Sequence, residues 1–243
     1  MPVDASTLER LVPAELDGRD VTGRQTLELH LERYRFAARS ARPGRLLDLA
    51  CGVGYGTRLV ADEAAGVERA LGVDLAPEAV AYARAHYGGD GVEFAASDGL
   101  TFRDPAGFDT IVSLETLEHV PDPARLVAHL AGMLRPGGVL VASAPTTPSK
   151  DVNLHHLHDF TEASFRRLFA GLGLTEEESF RQVQPYALFA AVARKEQRMA
   201  DLRGNLLGYY LTHPQAALRR ALATLRFGFT NRYLTVAWRS RPA

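Results

Sequence analysis

Three aspartates and one glycine run carry the residue types that could bind a nucleoside ligand. Asp48 follows the apolar pair Leu46-Leu47, and the turn Gly52-Val53-Gly54-Tyr55-Gly56 comes just after it. Glycines let backbone approach a ligand where a side chain would not fit, and a helix opened by such a turn favours negative charge at its start. A dinucleotide pyrophosphate asks for the spacing GxGxxG. Here the third glycine comes one position early, and Thr57 stands where that pattern needs glycine. A carboxylate beside the turn suits a cationic ligand better than a pyrophosphate. Asp74 comes next, at a place where a carboxylate can accept from both ribose hydroxyls. Asp98 sits in the loop Ser97-Asp98-Gly99. Its carboxylate can accept from an exocyclic adenine amine, while the Gly99 or Leu100 amide meets a ring nitrogen. Taken singly, each aspartate also suits a helix cap or a turn. A nicotinamide cofactor is the competing reading of the set.

Histidines form the second group. His119 lies in LETLEHV, and His155, His156 and His158 cluster in DVNLHHLHDF. Imidazole titrates near neutrality, which suits a general base for a hydroxyl or a protonated amine. Bracing is the other reading of both candidate bases, with His119 orienting Glu115 or its own turn and His156 holding its loop. Adjacent histidines in so short a run are poorly spaced for a metal, so none is expected. Cys51, inside the glycine turn, reads as a small filler, because nothing nearby in sequence activates it.

These residues need elements to position them. Helical periodicity over 23–40 places Leu27, Leu31, Tyr34 and Ala38 on one face. Strands are expected at 45–50, 70–74, 92–96, 108–114, 139–144, 174–180 and 233–239. Helices are expected at 55–65, from Pro77 to Tyr87, from Pro123 under an Asp122 cap, and from Thr161 with Phe165, Leu168, Phe169 and Leu172 buried. Leu126, Leu130, Met133 and Leu134 form the stripe of the helix after Asp122, and Pro136-Gly137-Gly138 ends it. Alternation of strand and helix predicts an α/β fold with a mostly parallel, doubly wound sheet. All three aspartates then fall at carboxyl ends of strands, where open α/β sheets bind ligands. Between the last two strands, 194–211 and 214–227 have helical character.

With its aspartates in that register, the chain resembles class I S-adenosylmethionine (SAM)-dependent methyltransferases over roughly 45–180. FDTIVSLETLEHVPDP (108–123) and LRPGGVLVASAP (134–145) resemble two further motifs of that family. The family's first motif often has glycine where this chain has Ala50. The resemblance implies a Rossmann-like, seven-stranded, mainly parallel sheet with helices on both faces and the last strand antiparallel between the fifth and sixth. It implies SAM as cofactor and S-adenosylhomocysteine as product. Asp48, Gly52 and Gly54 would surround the methionine end. Asp74, with Leu75 beside it, would take the ribose, and Asp98 with Gly99 the adenine. Leu114 and Glu115 would lie near the sulfonium. A preceding helix often covers the cofactor in this family, which singles out Tyr34 and its neighbour Arg33. Asn153, His156, Asp159, Phe160 and Thr161 match a family pattern N-x-x-H-x-x-acid-F-T. That match points His156 into the cleft, with Asp159 orienting it.

The expected activity is in-line methyl transfer to an oxygen or nitrogen of a small molecule, such as a sugar or natural product. The alternatives are a quinone or lipid precursor at a membrane surface, and a SAM-binding module without catalysis. The 243 residues carry a net charge of −1, which argues against a general nucleic-acid binder. No apolar run is long enough for a membrane span, and Met1–Arg10 lacks the apolar stretch of a signal peptide. A single cysteine excludes an intramolecular disulfide, and a cytoplasmic location is expected. The expected division is a helical cover over 1–44, a cofactor core over 45–182, an insertion over 183–230, and the last strand over 231–243. Leu218, Leu222 and Leu225 share one face of that insertion, with Arg219, Arg220 and Arg226 elsewhere. It reads as a lid or homodimer element, or else as a basic amphipathic helix on a membrane. The few arginines and the acids Glu196 and Asp201 favour the first two.

Overall fold

The computed structural model describes residues 11–16, 21–185 and 203–242. A 20-residue helix α1 (Val21–Ser40) leads into β1 (Gly44–Leu49). Then follow α2 (Tyr55–Glu63), β2 (Val67–Asp74), α3 (Pro77–Tyr87), β3 (Val92–Ala96) and β4 (Phe108–Ser113). After these come α4 (Pro123–Met133), β5 (Leu134–Pro145), α5 (Glu162–Arg167) and β6 (Leu174–Pro185). Two further helices, α6 (Leu206–Thr212) and α7 (Pro214–Phe227), precede β7 (Thr230–Ser240).

The seven strands form one sheet in the order β3-β2-β1-β4-β5-β7-β6. The first five are parallel, and β7 runs antiparallel between β5 and β6. This is the expected doubly wound sheet. Its order reverses between β1 and β4, so their carboxyl ends open a crevice where such sheets take ligands. The period of two in β1 decides which side chains face it. Leu47 and Leu49 join the apolar layer that holds Leu126, Phe165 and Trp238. Leu46 joins the opposite layer, with Phe36, Val60 and Val80, and Asp48 points to that side too.

Local chemistry fixes the ends. Asp122 caps α4 by accepting from the Arg125 amide at 2.9 Å, and Pro123 sits in the first turn. Thr161 and Ser164 cap α5 reciprocally. Several expected boundaries move. Leu134 leaves the helical stripe and opens β5, and a register shift between the pairs Phe108–Leu134 and Thr110–Val139 takes up Arg135–Gly138. The helix at α5 is one and a half turns long, although Phe165 and Phe169 are buried as expected, with Phe169 stacked on Trp238. β6 runs on to Pro185 because β7 pairs with it along its whole length, Thr230 opposite Pro185. The core strand therefore crosses the expected boundary at 182. Of the stretch 194–211, only Leu206–Thr212 is helical among the described residues, and 194–202 lies outside them.

Candidate active site

The glycine turn folds for two different reasons. Gly52 (φ +56°) and Gly54 (φ +89°) adopt backbone that L-residues resist, and a Cβ on Gly54 would strike Ala83 and Phe94. Gly56 is needed for space. The Tyr34 ring lies over it, and a Cβ there would sit 1.9 Å from Tyr34 Cζ. Tyr34 is buried and packs edge-on against Tyr55, their centroids 5.9 Å apart. The N-terminal helix thus packs onto the turn.

Asp48 is buried beneath this lid. Its Oδ2 accepts from the Thr57 hydroxyl at 2.6 Å. Thr57, the residue that breaks GxGxxG, is therefore the partner of the aspartate. Burial pushes the Asp48 carboxyl up to about 7, opposed by Thr57 and the neighbouring Tyr34 hydroxyl and reinforced by Asp74. Its other oxygen, Oδ1, is buried without a well-formed hydrogen bond. Burial and the Asp48 charge together keep the Tyr34 phenol protonated. Burial also drives the Cys51 thiol far up, so Cys51 is the inert filler expected.

Asp74 holds the turn in place. Its Oδ2 accepts from the Gly52 amide and its Oδ1 from the Ala76 amide, both at 2.9 Å. Each oxygen keeps a lone pair for a ribose hydroxyl. Leu75, beside it, is exposed at the strand end. Asp98 Oδ1 accepts from the Leu100 amide at 2.8 Å. That amide is spent within the loop, which leaves the Gly99 amide as the expected donor to an adenine nitrogen. Gly99 itself packs so closely on Leu49 that a Cβ would come within 2.9 Å.

Backbone strain marks both central strand ends. Ala50, just past β1, has φ +64°, and Glu115, just past β4, has φ +49°. The Ala50 and Cys51 amides both donate to the Val73 carbonyl, which holds the bend. Glu115 is fixed by Ser143 of β5, whose hydroxyl accepts from the Glu115 amide at 3.0 Å and donates to Oε1 at 2.6 Å. Sequence reasoning gave that orienting role to His119 and missed Ser143, a lone polar residue in an apolar strand. Leu114, beside Glu115, is buried.

The histidine loop lies against the β4 turn. The Glu118 carbonyl accepts from the Leu157 and His158 amides, and a His158 ring nitrogen lies 2.9 Å from the Val120 carbonyl. His119 and His156 meet edge to face, 4.7 Å between centroids. His156 Nδ1 is 2.6 Å from the Ser149 hydroxyl. Asp159 does not orient His156. It accepts from the Ser149 and Lys150 amides and so fixes the residue that does. Burial, with His119 and His155 nearby, lowers His156 to about 3, so it stays neutral at physiological pH. That is a poor value for the base expected there. The His155 carbonyl lies 3.3 Å from His119 Nδ1, and Glu118 Oε1 lies 3.9 Å from His119 Nε2. Ligand atoms of Glu118, His119 and His156 all fall within 4.8 Å of one another, so this trio, rather than the histidine run, could hold a divalent cation. Arg33 is buried and bonded to Gln182 Oε1 at 3.0 Å, with its guanidinium over the Tyr233 ring. It ties α1 to β6 and β7.

A methyltransferase-domain family model matches residues 47–142. That span covers every expected cofactor residue except Tyr34. Over that stretch the chain is similar to methyltransferase domains. It is 41% identical over 103 residues to the ubiquinone biosynthesis O-methyltransferase of Xylella fastidiosa (strain 9a5c), covering 41% of each chain. The chain thus spans about two-fifths of the length of the curated relatives it matches. Its fold is that of YcgJ from Bacillus subtilis (TM-score 0.67, 15% identity, covering 87% of this chain and 99% of that one). It is also that of the N-methyltransferase NodS from Bradyrhizobium japonicum WM9, solved with S-adenosylhomocysteine (TM-score 0.59, 20% identity, covering 88% and 86%). The class I methyltransferase fold is therefore shared across these neighbours. No described helix is long and apolar enough to cross a membrane.

Proposed function

We propose that this chain is a SAM-dependent methyltransferase acting on an oxygen or nitrogen of a small molecule. One observation carries the reading. Asp48 is a buried carboxyl whose Oδ1 has no well-formed hydrogen bond, at the strand end beside the glycine turn that Asp74 holds. A cationic amino-acid end would satisfy Asp48, and a ribose would meet Asp74. Asp98 and Gly99 take the adenine, and Tyr34 closes over the turn. When bound, SAM supplies an activated methyl group that leaves with its bonding pair remaining on sulfur.

The chain's own task is to align the acceptor, exclude water and, where needed, take a proton. Leu114 and Glu115 face the transfer region from the end of β4. Among the two candidate bases, His119 is the better placed. A proton taken up there meets the buried Glu118 carboxylate, whereas His156 resists protonation. His156 and Ser149 then fix the wall against which His119 packs. The relatives named as ubiquinone biosynthesis enzymes favour an oxygen acceptor over nitrogen.

Incubation with methyl-labelled SAM and a panel of phenols, catechols, sugars and amines tests this directly. Label on an oxygen acceptor, reduced severely by Asp74→Ala, is expected. Tight SAM binding with no transfer to any acceptor or host extract would favour a binding module without catalysis.

A further inference from the structure

The helices between β6 and β7 are turned inside out. Arg220 of α7 points into the protein, where it bonds Asp151 and the Pro148 carbonyl. On the opposite side Leu218, Leu222 and Leu225 form a stripe that is 61, 57 and 84% exposed. Leu207 and Leu211, one turn apart on α6, are 74 and 76% exposed. A helix that merely covers a sheet edge buries its apolar stripe and shows its charges. Here the polarity is reversed.

Charge on this segment is one-sided as well. From Arg203 to Ala243 the sequence holds seven arginines and no aspartate or glutamate, while the rest has 21 basic residues against 29 acidic. Asp151 answers Arg220, and Glu177 lies 3.4 Å from Arg239. Arg219 and Arg226 are exposed and flank the leucine stripe. Arg226 and Arg232 both lie over the Phe227 ring, and line a groove of about 590 Å³ beside it. The groove's other arginine, Arg181, is bonded to Glu162.

We propose that the α6–α7 face docks on an anionic lipid surface, leucines in the interface and Arg219, Arg226 and Arg232 on phosphate headgroups. Charge chooses this occupant. A second copy of the chain would set these arginines against their equals, whereas an anionic leaflet complements them. The absence of a membrane-spanning helix among the described residues makes it a surface contact. Docking would present the histidine loop to a membrane-borne acceptor, because Asp151 of that loop holds α7. That last consequence rests on the methyltransferase reading, whereas the contact itself does not.

Flotation with vesicles of phosphatidylcholine, alone or mixed with phosphatidylglycerol, tests the contact without any activity. Binding to the mixed vesicles only, weakened by salt, is expected. Arg219→Gln and Arg226→Gln should each weaken it about fivefold. Leu222→Asp should abolish it while leaving the melting temperature and SAM binding unchanged. Absence of binding to mixed vesicles would overturn the proposal. So would equal binding to neutral ones, or a stable dimer that Leu222→Asp dissociates.

Discussion

Arg220 and Asp151 join α7 to the loop that carries the histidines. Arg220 Nε donates to Asp151 Oδ2 at 2.8 Å, linking α7 to the loop that carries His156. The Tyr210 hydroxyl donates to the same carboxylate at 2.6 Å, and Arg203 Nε to the Asp151 carbonyl at 3.1 Å. Burial opposes charge on Asp151, yet Arg220 and Tyr210 hold its carboxyl below the usual range. Three side chains from 203–220 thus converge on one loop residue. Asp151→Asn should loosen this latch. Limited proteolysis should then cut within 203–227 faster, and turnover should fall more than SAM affinity. Equal loss of both would place the latch in the cofactor site instead.

Asp48 sets a pH dependence with a definite sign. Its folded value of about 7 lies above that of an unfolded aspartate, so between the two the folded chain holds the extra proton. Stability of the unliganded protein therefore falls as pH rises through that window. A cationic ligand favours the charged carboxylate, so binding releases the proton. SAM affinity should rise about tenfold from about pH 6 to about pH 8, with proton release seen by calorimetry in buffers of different ionisation enthalpy. Asp48→Asn should bind weakly and lose the pH dependence. A wild-type affinity flat with pH would contradict the assignment.

His156 gives the opposite case. Its folded value of about 3 lies below the unfolded one, so its contribution to stability is present above about pH 6.5 and is lost as pH falls toward 3. His156→Gln should flatten part of that acid loss in a melting series. It should leave turnover at neutral pH largely in place, whereas His119→Gln should lower turnover with SAM affinity unchanged. Loss of turnover on changing His156, with His119→Gln unaffected, would return the base to His156.

Much of this was legible beforehand. Asp48, Asp74 and Asp98 each sit at the expected strand end, because period-two patterning and Pro/Gly punctuation fix strand ends well. Ser143 and Ser149 were not legible. Ser143 acts on Glu115 from a different strand, Ser149 acts on His156 across a turn of its own loop, and no spacing rule connects either pair. The length of β6 was missed for a similar reason. Its residues 176–184 are mostly polar, and only pairing with β7 makes them a strand.

Ala50 looked like an ordinary variation on glycine, yet its φ of +64° makes it strained. Ala50→Gly should stabilise the fold by about 0.5–1 kcal/mol, the left-handed penalty less the entropy of glycine. Thermal melting checks this, and a lower melting temperature would show that the bend is not strained.

Tyr34 and Gly56 should be coupled. Gly56→Ala forces the ring aside and should lower both the melting temperature and SAM affinity. In a Tyr34→Ala background the same change should cost far less. Additive losses would separate the two residues.

Calorimetric titration of the full chain with SAM, beside an Asp74→Asn variant of unchanged circular dichroism, decides whether Asp74 and the glycine turn hold the donor. One site per chain, with affinity strongly reduced in the variant, is the predicted result. No heat from the wild-type chain at millimolar SAM, or equal affinity in both proteins, would contradict the donor site described here.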